Sequence, residues 1–180
     1  MQMKVQFETD REELPRRVAL TLRQENCEIH RQQGILCNMR QQAYKTQRAA
    51  SYQATPDEVA SAYLPIIRSH LGLIEGNILI GETFYIHEQW RNSQLLQTIQ
   101  QSYVQNFAAN QVFFTCYFIY PHWLERDTDG EFVGVNRPEQ TKKLCRLYRW
   151  LHFIPLPGTG FMYRLFTNKE GTAWKTPVSP

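Results

Sequence analysis

Residues 112–120, Val-Phe-Phe-Thr-Cys-Tyr-Phe-Ile-Tyr, form a nearly unbroken apolar run of strand length. Such a run is apolar on both sides of its pleat, as expected of a strand buried on both faces. The chain must therefore build a sheet that is covered on two sides. A second strand fits residues 78–86 (Ile-Leu-Ile-Gly-Glu-Thr-Phe-Tyr-Ile), rich in β-branched and aromatic side chains. Between the two, Leu95, Leu96, Ile99, Tyr103, Val104 and Phe107 share one helical face, which predicts a helix from Ser93 to Phe107. After the second strand, Asn136 and Glu139 read as the cap and third residue of another helix. Leu144, Leu147, Tyr148 and Leu151 fall on its sheet-facing side, and Phe161 to Phe166 closes as a strand. Strands that alternate with helices predict an α/β arrangement, an α+β mixed sheet with parallel neighbours and a ligand at their carboxyl ends.

The amino-terminal part is less regular. Val5 and Phe7 alternate with polar neighbours and suggest a short opening strand. From Glu12 to Gln33, Leu14, Val18 and Leu22, with Ala19 and Leu20 beside them, predict a helix. Residues 38–53 are polar and glutamine-rich, without a period. Thr55-Pro56-Asp57-Glu58 is a capping box with proline at the first helical position, and its helix should run to about Gly72, with Pro65 as a candidate kink. No linker or repeat divides residues 1–180, so one domain is expected. Residues 1–74 would form a divergent, mostly helical part, and residues 75–166 the core.

Composition excludes several classes. The chain is 42% hydrophobic and 21% charged, ordinary for a globular protein. It contains no apolar run of the about 20 residues a membrane helix needs. With no signal-like amino terminus, a cytoplasmic protein without a membrane partner is expected. Cys27, Cys37, Cys116 and Cys145 form no CxxC pair, which favours free thiols over a zinc site. Net charge is +3, and Arg137, Lys142, Lys143, Arg146 and Arg149 oppose only Glu139. A solvated helix face explains this cluster, a phosphate-bearing ligand is the sharper reading, and a nucleic-acid partner would rest on charge alone.

Two segments carry chemistry. Leu147-Tyr148-Arg149-Trp150-Leu151-His152-Phe153 is followed by Phe161-Met162-Tyr163-Arg164-Leu165-Phe166. A helix that ends in a tyrosine turn, with a phenylalanine leading into a strand, resembles the LYxxxGF close of the GNAT superfamily of acyl-CoA-dependent N-acyltransferases. Upstream, the strand, Trp90-Arg91 and the helix from Ser93 resemble that family's V-x-P-x-x-R-G-x-G-x-G/A element. In this chain Glu88 stands at the proline and Asn92, Gln94 and Leu96 stand at the glycines. A helix start offers unpaired N–H groups and partial positive charge, which suit a pyrophosphate. The resemblance implies a GNAT-like domain that binds acetyl-CoA through Tyr85, Ile86, Arg91, Asn92, Ser93, Gln94, Leu95 and Leu96. It further implies transfer of an acetyl group to a small-molecule or peptide amine, in a form compatible with a homodimer.

In that reading Tyr148 supplies a proton or hydrogen bond to the departing thiolate. His152 stands where the family has glycine or asparagine, and Thr141 where it has an asparagine. For a base, Glu82 shares a regular strand's face with Ile78, Ile80, Phe84 and Ile86, and an acid among apolar groups tends to a raised pKa. Gly81 beside it would change that face if it marks a bulge. His87 and Glu88 are weaker alternatives. The string His87-Glu88-Gln89-Trp90-Arg91 is not a zinc motif, because arginine replaces the second histidine. Asp127-Thr128-Asp129-Gly130 opens like a calcium loop but does not continue as one, and reads as a hairpin turn between residues 123–126 and 132–135. The alternative to an enzyme is a catalytically inactive GNAT-like fold that serves as a binding or structural protein.

Overall fold

The computed structural model describes residues 6–9, 13–24, 27–39, 55–91, 107, 113–126, 128–129 and 132–166. Its strands are β1 (Gln6–Thr9), β2 (Arg16–Gln24), β3 (Cys27–Asn38), β4 (Asn77–Ile86), β5 (Cys116–Ile119), β6 (Trp123–Arg126), β7 (Phe132–Val135), β8 (Ile154–Pro155) and β9 (Met162–Leu165). The helices are α1 (Pro56–Leu71) and α2 (Pro138–Trp150), and a 3-10 turn spans Glu88–Trp90. Seven strands make one mixed sheet in the order β1-β2-β3-β4-β5-β9-β8, while β6 and β7 pair separately. All neighbours in the large sheet are antiparallel except β4 and β5. The mixed α/β expectation is met in this coarse form.

The predicted helix over residues 12–33 is wrong. The described residues of this span form β2 and, from Cys27, most of β3, an antiparallel pair. Leu14, Val18 and Leu22 lie four apart, a spacing that also satisfies the two-residue period of a strand. Val18, Leu20 and Leu22 are buried on one face and Ala19 and Thr21 on the other. Burial on both faces hides the alternation, as in any central strand. The described residues of 1–74 therefore form three strands and one helix rather than a mostly helical part. Residues 40–53 of the polar stretch lie outside the described residues.

Helix α1 starts as its sequence dictates. The Thr55 side chain accepts from the Glu58 backbone N–H at 3.3 Å, and the Glu58 carboxylate accepts from the Thr55 N–H at 2.7 Å. The helix runs through an exposed Pro65 to Leu71 and is closed by Gly72 at φ +71. It covers one face of the sheet, where Val59, Ala60, Leu64 and Ile67 pack on Ile35, Cys37, Ile78, Ile80, Cys116 and Phe118. Burial raises the thiols of Cys37 and Cys116 to about 12.

The opposite face is covered by α2. Tyr148 and Leu151, with Leu144 and Leu147 beside them, meet Val18, Leu20, Leu36, Leu79, Tyr117, Ile119 and Met162. The expected sheet-facing side of this helix is thus borne out. Its cap is Arg137 rather than Asn136, because Pro138 takes the first helical position. Of the helix expected over Ser93 to Phe107, only Phe107 is described; it is helical and fully buried in this same cluster. The central apolar run forms β5, buried at all four residues. The predicted hairpin is present as β6 and β7. The closing strand is β9, and the two-residue β8 at the sheet edge was not anticipated.

Candidate functional site

Strands β4 and β5 run side by side for four residues only, from Ile78 opposite Cys116 to Gly81 opposite Ile119. Beyond this rung β5 ends, whereas β4 continues to Ile86 paired with β3. The carboxyl ends of this pair, the one parallel pair among the described residues, therefore part, and this is where an α/β sheet places a ligand. The two faces of that corner carry different chemistry.

The register explains why. Gln33 pairs with Thr83 but Gly34 with Gly81, so Glu82 is an extra residue in β4. This bulge flips the alternation. Ile78, Ile80 and Glu82 face α1, whereas Phe84 turns to the α2 side, where its ring meets Tyr148. The face predicted for Glu82 in a regular strand thus holds for Ile78 and Ile80 and fails for Phe84 and Ile86. Gly81 also permits a close approach. A Cβ there would stand 2.8 Å from the Tyr117 ring, which crosses β4 so that its hydroxyl accepts from Gln32 Nε2 at 2.9 Å.

On the α2 face the corner is an aromatic and polar wall. The Tyr148 ring is 1% exposed and lies between Phe84, with centroids 5.9 Å apart, and Phe153 at 5.1 Å. Beside Phe84 sits His30, also 1% exposed, whose Nδ1 lies 2.7 Å from the Tyr85 carbonyl. Since a carbonyl can only accept, Nδ1 carries the proton and Nε2 is bare. Among the described residues neither His30 Nε2 nor Gln32 Oε1 has a hydrogen-bond partner. Burial lowers the His30 pKa to about 4 against smaller opposing effects from Tyr85, Glu28 and Gln32. Burial likewise pushes the Tyr117 phenol above its ordinary range.

The end of α2 has a specific geometry. The His152 N–H donates to the Arg149 carbonyl at 3.0 Å and the Phe153 N–H to the Tyr148 carbonyl at 2.9 Å. With His152 at φ +65, this is a Schellman cap, complete with the apolar contact between Phe153 and Tyr148. The tyrosine-turn-phenylalanine order is thus the sequence of a helix stop that fixes the Tyr148 ring against the sheet.

On the α1 face Glu82 is not isolated. Arg17 donates from Nε at 2.9 Å and from Nη2 at 3.1 Å to its two carboxylate oxygens, and both side chains are 22% exposed. Tyr63 of α1, Tyr120 just past β5 and Phe161 just before β9 lie nearby. Phe161 meets Tyr63 at 5.4 Å and Tyr120 at 5.1 Å. Sequence reasoning did not find these three rings, because they come from three separate elements.

The proposed phosphate segment is partly described. Tyr85 and Ile86 end β4, and the His87 N–H donates to the Ile29 carbonyl at 2.8 Å. Arg91 turns back so that Nε donates to the Ile86 carbonyl at 2.9 Å, and its Nη1 lies 3.6 Å from Glu88. Asn92, Ser93, Gln94, Leu95 and Leu96 lie outside the described residues. Arg137, Lys142, Lys143, Arg146 and Arg149 are all exposed, and Arg137 and Lys142 pair with Glu125 and Glu139. Among the described residues no helix is long and apolar enough to cross a membrane. No family profile, curated protein or solved structure matches this chain.

Proposed function

We propose that this chain is a GNAT-like acyltransferase that moves an acetyl group from acetyl-CoA to an amine. The observation that carries the reading is the parting of β4 and β5 after Gly81 and Ile119, with Tyr148 fixed on one side of the corner and Glu82 on the other. The order of elements around it supports the resemblance: strand, turn with Trp90-Arg91, a helical Phe107, strand, α2 with Tyr148, strand. The amine nitrogen would attack the thioester carbon, the carbon–sulfur bond would break, and the thiolate would take a proton or hydrogen bond from the Tyr148 hydroxyl. Glu82 would accept the amine's proton once its hold on Arg17 loosens. Backbone N–H groups of the Arg91–Leu96 segment beyond Arg91, whose own N–H donates to the Glu88 carbonyl at 3.2 Å, would receive the pyrophosphate.

A second reading, a cofactor-free binding or structural protein of the same fold, is favoured by two contacts. Tyr148 is enclosed by Phe84 and Phe153, and the Arg91 Nε is engaged by the Ile86 carbonyl. Steady-state acetylation of a panel of amines tests the two. Tyr148→Phe should lower kcat about a hundredfold with an unchanged melting temperature, the scale of one proton-transfer group. Equal rates for the wild type and Tyr148→Phe would remove the role assigned to the tyrosine.

A further inference from the structure

Glu82 and Tyr120 are each the first residue beyond the last parallel rung, Gly81 with Ile119. Both face α1: each acts on Tyr63 of that helix, and Tyr120 meets Phe161, which packs in the same cluster. Extending the β5–β9 register from Ile119 opposite Met162 sets Tyr120 opposite Phe161. Tyr63 comes down from α1 at 86° to the Phe161 ring, and the Tyr120 ring stands at 65° to it. Three rings in steeply inclined planes thus meet, with Tyr63 next to the Glu82 carboxylate and one face of Phe161 stacked on Phe118 at 4.8 Å. Glu82 and Tyr120 both lie close enough to Tyr63 to add to burial in raising its phenol pKa. The corner is open: Tyr120 is 46% exposed. It is also fitted, since a Cβ on Gly160 would collide with the Tyr120 ring.

We propose that this corner binds an N-alkylated ammonium group, held by the exposed side of the Tyr120 ring, by the neighbouring Tyr63 and Phe161 rings and by the Glu82 carboxylate. Ring faces carry negative potential and attract cations. The bidentate grip of Arg17 uses two of the carboxylate's roughly four lone-pair sites and leaves the others for a second cationic partner. Because Arg17 already balances the charge of Glu82, carboxylate attraction alone is weak, and the rings must supply the selectivity. That favours a large, weakly hydrated alkylammonium over a compact, strongly hydrated ion. Binding here does not depend on acyl transfer. Only the further step, that the bound group belongs to the acceptor, rests on the function proposed above.

The test is NMR titration of the full chain, without acetyl-CoA, using choline and its uncharged carbon isostere 3,3-dimethylbutan-1-ol. Choline should give saturable shifts at Tyr63, Tyr120 and Phe161, and the isostere should bind at least about fivefold more weakly. Tyr120→Leu, at an exposed position, should weaken choline by about fivefold while the protein melts as before. Glu82→Gln should weaken it as well. Equal binding of choline and the isostere, no saturable shift with choline, or full affinity in Tyr120→Leu would each overturn the proposal. Since no acetyl-CoA is present, failure here is distinct from failure of the acyltransferase reading.

Discussion

Replacing His30 with glutamine should make the protein less sensitive to acid. His30 is buried at 1% exposure, donates from Nδ1 to the Tyr85 carbonyl, packs its ring against Phe84 with centroids 5.2 Å apart, and keeps a buried Nε2 without a hydrogen-bond partner among the described residues. Protonating Nε2 would bury a charge that Tyr85, Glu28 and Gln32 offset only in part, which is why the folded pKa falls from 6.5 to about 4. Between those values the unfolded chain binds more protons than the folded one, so stability rises with pH. The contribution is complete above pH 6.5 and is lost as pH falls toward 4. The shift corresponds to about 3 kcal/mol in all, of which about 2 kcal/mol is gone by pH 5. Against a typical total of about 5–15 kcal/mol this is a large fraction. Urea unfolding of the wild type and His30→Gln from pH 7.5 to 4.5 isolates the effect, because the carboxylates titrate in both. The wild type should lose about 2 kcal/mol more than the variant by pH 5. Parallel stability curves would refute the assignment of His30 as a buried neutral imidazole.

Two further substitutions probe the same corner. His152→Gly should stabilise the fold by about 0.5–1 kcal/mol, since it removes left-handed strain of about 1–2 kcal/mol but adds freedom to the unfolded chain. A melting temperature raised by about 1–4 °C in calorimetry would agree, and a fall would show that the exposed imidazole has a role of its own. Gly81→Ala should destabilise by about 1–3 kcal/mol, because its Cβ displaces Tyr117 from Gln32. Thermal unfolding measures the loss, and unchanged stability would mean that the two strands can separate without cost.

Where local chemistry fixes local structure, the sequence was readable. The Thr55–Glu58 box, the apolar run of β5 and the inward face of α2 all follow from side-chain spacing and capping. Failures came where two periods coincide or where a register shifts. Leu14, Val18 and Leu22 fit a helix and a strand equally, and only burial of Ala19 and Thr21 on the other face decides for the strand. Glu82 was assigned a face by counting in twos, and one bulged residue reversed its neighbours. Gly81 was the available signal. The family resemblance of Leu147 to Phe153 gains a physical meaning here: tyrosine, left-handed residue and phenylalanine are the third-last, first-beyond and second-beyond positions of a Schellman cap. A glycine or asparagine preference at position 152 follows from that backbone alone, so this motif speaks first about helix termination. The ring cluster of Tyr63, Tyr120 and Phe161 depends on strand pairing, and no spacing in the chain could reveal it.

Calorimetric titration of the purified chain with acetyl-CoA, with desulfo-CoA as control, tests the central claim most directly. The acyltransferase account predicts saturable binding of both ligands in the micromolar range, because the pyrophosphate they share would be held by backbone groups following β4. Absence of binding at millimolar ligand would contradict it and would leave the corner of β4 and β5 to a partner other than an acyl-CoA.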